Sequence, residues 1–76
     1  MTDWFLRDDS GYLAWLVANP DGYVLNTSAQ VAAGYLVLHR ASCRTINRPL
    51  PEGRLWTRHY GKACAGTSKE LVAWGP

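Results

Sequence analysis

The histidines and cysteines are the first candidates for chemistry, because the chain contains only two of each. His39 and Cys43 are four positions apart, and His59 and Cys64 are five apart. Two histidines and two cysteines can hold zinc tetrahedrally, and a structural metal would stabilise a domain this small. The Cys-x-x-Cys knuckle of standard zinc fingers is absent, and buried free cysteines are common. A structural zinc site at these four residues is therefore one alternative, and ordinary core or surface roles are the other.

A cysteine beside a histidine is also the chemistry of a nucleophile. Arg40 and Arg44 would lower the pKa of the Cys43 thiol. The sequence has no third orienting group, no nucleophile motif and no glycine-rich phosphate loop. We therefore predict that the domain is not an enzyme and that it uses no cofactor apart from the zinc alternative.

Positive charge is concentrated in the middle of the chain. Residues 39–62 carry six basic residues against one acid, a local charge of +5, whereas the rest of the chain carries −3. The six are Arg40, Arg44, Arg48, Arg54, Arg58 and Lys62. Arginine presents a planar fork of donors that suits phosphate groups and guanine edges.

Aromatic side chains are interleaved with this basic band at Trp56, His59 and Tyr60. Basic residues that neutralise phosphates, together with flat rings for a base, are the combination that nucleic acids require. We predict that the six basic residues contact phosphates, that Trp56 and Tyr60 stack on a base, and that residues 48–53 form an exposed basic loop. The bland alternative is a solvated arginine face with Trp56 in the core. A second functional alternative is a protein-interaction module, either an inhibitor or a subunit, with aromatic and arginine hot spots.

Three segments resemble a small domain of actinobacterial and related proteins that is associated with restriction-type nucleases and mobile defence genes. The segments are 11–26 (GYLAWLVANPDGYVLN), 38–46 (LHRASCRTI) and 60–64 (YGKAC). The resemblance covers most of the chain and implies DNA as the target. It also implies a nuclease or another protein as a partner, with the nuclease cutting and this domain locating or orienting the substrate.

The hydrophobic pattern, the helix caps and the turn residues predict the helices and strands that position these residues. A helix from Gly11 to Ala18, capped by Ser10 or Asp9, ends before the turn at 19–22. Strands follow at 23–27 and 35–40, joined by a hairpin of about seven residues, and the apolar run at 35–38 predicts a strand buried on both faces. A third strand begins near Leu55 and continues to Cys64. Thr67 and Glu70 have the spacing of a capping box that opens a second helix.

The predicted fold is a small α+β domain, with two helices packed on an antiparallel sheet of about three strands. Its order is helix, strand, strand, loop, strand, helix. With 76 residues, 47% of them hydrophobic, we expect one compact domain over residues 1–76. No signal sequence or membrane-spanning segment is recognisable, so we predict a cytoplasmic protein with no membrane partner and with reduced cysteines.

Overall fold

The computed structural model describes residues 2–29, 35–51 and 53–75. The elements in these residues are β1 (Asp3–Phe5), α1 (Asp9–Ala18), β2 (Tyr23–Ser28), β3 (Leu36–Arg40), β4 (Tyr60–Ala65) and α2 (Ser68–Trp74). The strands form one antiparallel sheet in the order β1-β4-β2-β3. The predicted α+β class is therefore confirmed, with four strands in the described residues in place of about three.

One face of the sheet packs against α1 and the connection between β3 and β4. Its buried core joins Tyr12 and Leu16 of α1 to Val24 of β2 and Cys64 of β4. Val24 and Cys64 are partners in the β2–β4 register, so their side chains point to the same face. The connection adds Ile46 to this core. Tyr12 and Leu16, which are four residues apart, therefore lie on the face of α1 that covers the sheet.

The other face of the sheet packs against α2. Leu71 of α2 is buried against Leu25 of β2 and against Ala63 and Ala65 of β4. The residues of β4 from 61 to 65 are all buried, because this strand is central and both of its faces are covered. Small side chains on β4 let the two helical layers approach the sheet closely.

Both helices begin at an oxygen-bearing cap. Thr67 caps α2, since its hydroxyl accepts a hydrogen bond from the Glu70 N–H at 3.3 Å, as the Thr67–Glu70 spacing predicts. The cap of α1 differs from the prediction of Ser10 or Asp9. Asp8 accepts a hydrogen bond from the Gly11 N–H at 3.0 Å, and the helix starts at Asp9. The Asp9 carboxylate is thereby left for another partner. Neither helix in the described part of the chain has the length and apolar character needed to cross a bilayer.

Three strand predictions need correction. β1 was not predicted, because three residues that include an acid give no periodic signal. β3 is an edge strand in which Val37 and Leu38 are 38% and 45% exposed, so the apolar run is not buried on both faces. β4 begins at Tyr60, five residues after the predicted start at Leu55. The predicted hairpin between β2 and β3 falls mainly on residues 30–34, which lie outside the described residues.

Gly61 makes room for an aromatic pair on the α2 face. The Trp4 ring lies over Gly61, and its centroid is 5.4 Å from that of Trp74, with the two planes inclined by 28°. A Cβ atom at Gly61 would overlap the Trp4 indole. We expect Gly61→Ala to lower the free energy of unfolding by about 1–2 kcal/mol, because the ring must leave its stack.

Urea unfolding followed by tryptophan fluorescence measures this change. Gly66→Ala is the matched control, since no atom lies within 4 Å of a Cβ placed at Gly66. Equal stability losses in the two variants would show that the contact with Trp4 is not the cause.

Candidate nucleic-acid interface

The connection between β3 and β4 comprises residues 41–59, and its described residues, 41–51 and 53–59, contain no helix or strand. Its far end is held by hydrogen bonds to Asp9. The Asp9 carboxylate accepts hydrogen bonds from the backbone N–H groups of Trp56 at 2.7 Å and Thr57 at 2.8 Å. It also accepts a bond from the Thr57 hydroxyl at 2.6 Å. Burial acts to raise the pKa of Asp9, but these hydrogen bonds and the Lys62 charge outweigh it and leave the pKa below its ordinary value. Asp9 is therefore a charged clamp on the connection.

The residues before α1 reinforce the same anchor. The backbone N–H of Asp8 donates to the Thr57 hydroxyl at 2.8 Å, and the N–H of Arg7 donates to the Thr57 carbonyl at 2.7 Å. Thr57 is fully buried. The backbone N–H, the carbonyl and the hydroxyl of this residue therefore all find partners among Arg7, Asp8 and Asp9, at the start of α1 and just before it.

The near end of the connection is fixed by α1 and by a local turn. The Tyr12 hydroxyl, buried under the connection, donates to the Ile46 carbonyl at 2.7 Å. Burial raises the pKa of Tyr12 well above its ordinary value, so the hydroxyl stays a donor. The Asn47 amide donates to the Ala41 carbonyl at 2.8 Å. Both ends of the connection are thus held on the α1 face of the sheet.

Lys62 differs from its predicted role as a surface phosphate contact. Its side chain is only 2% exposed, and its Nζ donates to the Trp56 carbonyl at 2.8 Å. The ammonium lies 5.9 Å from the ring centroid of Tyr12 and 6.0 Å from that of Tyr60. Burial lowers the pKa of Lys62 to about 8, although the nearby Asp9 charge acts in the opposite direction. Lys62 therefore links β4 to the connection through its hydrogen bond to Trp56.

The anchored connection forms a surface depression that we call the basic groove. It encloses about 540 Å³, and its lining includes Arg44, Arg48, Arg54, Leu55 and Trp56. All three arginines are exposed. Among the described residues, none of the three guanidinium groups is hydrogen bonded to, or ion paired with, another side chain. Three of the six predicted basic residues are therefore brought together with their donors unused.

A second depression, the inner groove, adjoins the first and encloses about 310 Å³. It shares Arg48, Arg54 and Trp56 with the basic groove. The lining that belongs to the inner groove and not to the basic groove includes Asn26, His59, Tyr60 and Lys62. The two grooves together form one surface with a cationic part and an aromatic part.

The predicted aromatic residues occupy different environments. Trp56 is half-buried and contacts Tyr12 edge to face, with ring centroids 6.5 Å apart, so it belongs partly to the core, as the bland alternative expected. It also lines both grooves. Tyr60 is 47% exposed and lies with its ring centroid 5.3 Å from that of Tyr35. Both predicted stacking residues thus border the inner groove.

Two of the predicted arginines lie apart from this surface. Arg40 ends β3, and Arg58 lies on the connection just before β4. Both are exposed, and neither lines the basic groove or the inner groove. They extend the positive surface without contributing to the grooves.

The four predicted metal ligands do not come together. The residues that the structure describes contain no group of three or more histidine, cysteine, aspartate or glutamate side chains able to hold a metal ion. In the sheet register Val24 lies between His39 and Cys64, which places them two strands, or about 10 Å, apart. The zinc alternative built on His39, Cys43, His59 and Cys64 therefore finds no support in these residues.

The two cysteines are unpaired and differ in environment. Cys64 is fully buried, and burial raises its pKa to about 12. Cys43 is half-buried, and hydrogen bonds from Thr45 and Ile46 lower its pKa. The predicted effect of Arg40 and Arg44 on this thiol is not among the causes. The buried thiol belongs to the core between α1 and the sheet.

Sequence reasoning missed the residues that build the surface from beneath. Asp9 was considered only as a helix cap, although two consecutive acids at a helix start leave one carboxylate free when the other caps it. Thr57 and Asn26 carry no such signal. Comparison of the chain with protein-family models, with curated proteins and with solved structures finds no match.

Proposed function

We propose that this chain is a cytoplasmic nucleic-acid-binding module that recognises or orients a substrate and does not catalyse a reaction. The basic groove would take the phosphate backbone, with Arg44, Arg48 and Arg54 as the contacts, and Arg40 and Arg58 would add long-range attraction. The resemblance to a domain associated with restriction-type nucleases and defence genes favours DNA and a nuclease partner. Two unpaired thiols fit a reducing compartment.

The observation that carries this proposal is a cluster of three exposed arginines around a half-buried indole, none of which has a side-chain hydrogen bond or ion pair within the described part of the chain. Structural arginines normally use their donors on carboxylates or carbonyls, whereas these donors face solvent from an anchored connection. Phosphate contacts gain from an anchored connection, since less backbone freedom remains to be lost on binding.

Salt dependence tests the proposal. Three phosphate contacts on duplex DNA predict a slope of log K against log salt of about −2.7, or about −2.1 on a single strand. Fluorescence anisotropy with a labelled mixed-sequence duplex and its single strand, between about 50 mM and about 200 mM salt, measures the slope. An affinity that does not change over this range would contradict the proposal.

The double variant Arg48→Gln/Arg54→Gln is expected to reduce the duplex slope by about 1.8, because two contacts are removed. Arg7→Gln/Lys69→Gln is the matched control. It removes the same net charge from two exposed positions outside both grooves. If both variants reduce the slope equally, net charge and not the basic groove governs binding.

A protein-interaction module is the second candidate, and one feature of the α2 face favours it. An apolar groove of about 210 Å³ is lined by Leu25, Leu36, Leu38, Leu71 and Val72. It lies beside the edge strand β3, where a partner could add contacts. Binding of a protein there would depend on Leu38 and Val72 and would be insensitive to the Arg48→Gln/Arg54→Gln change.

A further inference from the structure

We propose that the inner groove receives one unpaired nucleobase while the adjoining basic groove holds the flanking phosphates. The inference rests on the proposed function and specifies its ligand as a single-stranded or flipped-out nucleotide. Its support comes from the size of the groove, the rings that border it, an unpartnered acceptor in its lining and its connection to the arginines.

The size and the rings of the inner groove suit a flat aromatic ligand. Its volume of about 310 Å³ lies at the lower end of the range for small-molecule sites, about 300–1,000 Å³. Trp56, His59 and Tyr60 border it, and each offers a ring on which a base can stack. Tyr60 is more accessible to a base than the half-buried Trp56, since nearly half of the Tyr60 surface is exposed.

Asn26 supplies hydrogen-bonding groups in the lining of this groove. It lies on β2, directly opposite Lys62 of β4 in the sheet register. Its Oδ1 is buried without a hydrogen-bond partner in the described residues, and its Nδ2 has only a long contact of 3.4 Å to the Tyr35 hydroxyl. A buried acceptor without a partner is rare, so this carboxamide suits a ligand that brings its own N–H donor.

Lys62 does not compete for this role. Its ammonium already donates to the Trp56 carbonyl, and it supports the connection from within. The inner groove therefore presents a carboxamide and rings, while the cationic contacts come from Arg48 and Arg54 on the side shared with the basic groove. A nucleotide matches this division, with an apolar face and N–H groups on the base and negative charge on the phosphates.

Base pairing would block this mode of binding. The Watson–Crick edge and both faces of a base in a duplex are occupied by its partner and its stacked neighbours, whereas an unpaired base exposes them. The inner groove should therefore distinguish an unpaired base from a paired one, although phosphate contacts in the basic groove remain available to either.

The test compares three labelled probes of equal length: a single strand, the same strand with abasic tetrahydrofuran residues, and its duplex. We expect the single strand to bind about tenfold more tightly than the abasic strand, the value of one stacked base. Equal affinity for these two strands, with salt-dependent binding retained, would overturn the inference and leave the proposed function intact. Absence of binding to all three probes would overturn both.

Variants at Tyr60 provide the second measurement. Tyr60→Leu is expected to bring the ratio of single-strand to abasic affinity close to one, whereas Tyr60→Phe, which keeps the ring, is expected to preserve it. Circular dichroism establishes that both variants are folded. A ratio that stays near ten in folded Tyr60→Leu would contradict the placement of the base in the inner groove.

Discussion

Replacing Asp9 with alanine is expected to lower the free energy of unfolding by about 3 kcal/mol, because hydrogen bonds to a carboxylate are among the strongest in proteins. Three such bonds tie Asp9 to Trp56 and Thr57. A loss of this size is a large share of the stability of a small domain, about 5 kcal/mol. Urea unfolding measures it.

Asp9→Asn separates the charge from the geometry. The amide can still accept the two bonds that reach Oδ1, but its NH₂ group would face the Trp56 N–H, which needs an acceptor. We expect a loss of about 2 kcal/mol for this variant. Asp21→Asn is the control, because Asp21 is exposed in the turn after α1. Similar losses at Asp9 and Asp21 would contradict the clamp.

The contribution of Asp9 to the free energy of unfolding depends on pH in the acidic range. The pKa of Asp9 is lower in the folded chain than the ordinary value of 3.8, so its contribution is fully present above that value. It disappears as the pH falls through the lower folded pKa, where the folded carboxylate takes up its proton. The stability difference between wild type and Asp9→Asn should therefore shrink in this acidic range.

At the alkaline end, the stability of the wild type relative to Lys62→Met is expected to increase by about 3 kcal/mol from about pH 7 to about pH 11. The pKa of Lys62 is about 8 in the folded chain and 10.5 ordinarily. Between these values the unfolded chain binds more protons than the folded chain, so the free energy of unfolding rises with pH. Below the folded pKa the cost of burying the ammonium is present in full.

Methionine is the appropriate replacement because it keeps a long unbranched side chain in the buried space. Subtracting the unfolding free energy of Lys62→Met removes the contributions of the other titrating groups, such as Tyr12. Lys69→Met is the control, since Lys69 is exposed on α2. Urea unfolding at a series of pH values gives the difference directly, and a difference that does not vary with pH would show that Lys62 is charged without penalty.

The parts of the fold that the sequence predicted are those governed by local chemistry. The turn at 19–22 follows from the proline and the glycine, and the α2 cap follows from the spacing of Thr67 and Glu70. β2 and β3 were placed within one residue of their observed bounds, since a glycine, Gly22 or Gly34, precedes each predicted strand. The antiparallel pairing of these two strands was also correct.

The parts that were wrong depend on long-range contacts. Residues 55–59 have strand propensity, but Asp9 binds the backbone N–H groups of Trp56 and Thr57 from 47 and 48 positions away. Lysine is normally a surface residue, but Lys62 is buried because β4 lies at the centre of the sheet. β1 is a strand only because β4 offers it an edge.

For the candidate site, the basic band between 39 and 62 includes the three arginines that line the basic groove. It did not indicate which arginines would meet. Arg44, Arg48 and Arg54 share the basic groove because the connection folds over α1. Arg40 ends β3 and Arg58 lies just before β4, so neither reaches the groove. Charge and composition do not show which residues the fold brings together. For the same reason, the spacing of His39, Cys43, His59 and Cys64 did not show that they would lie apart.

The sheet order has a consequence for how the chain folds. β1 pairs with β4, which lies more than fifty residues later in the sequence, and the clamp on Thr57 spans a similar distance. Contacts of such high sequence separation have a large entropic cost of loop closure, and they lower the folding rate. During synthesis β1 has no partner until residues 60–65 have emerged, so the sheet and the two grooves can form only after nearly the whole domain has left the ribosome.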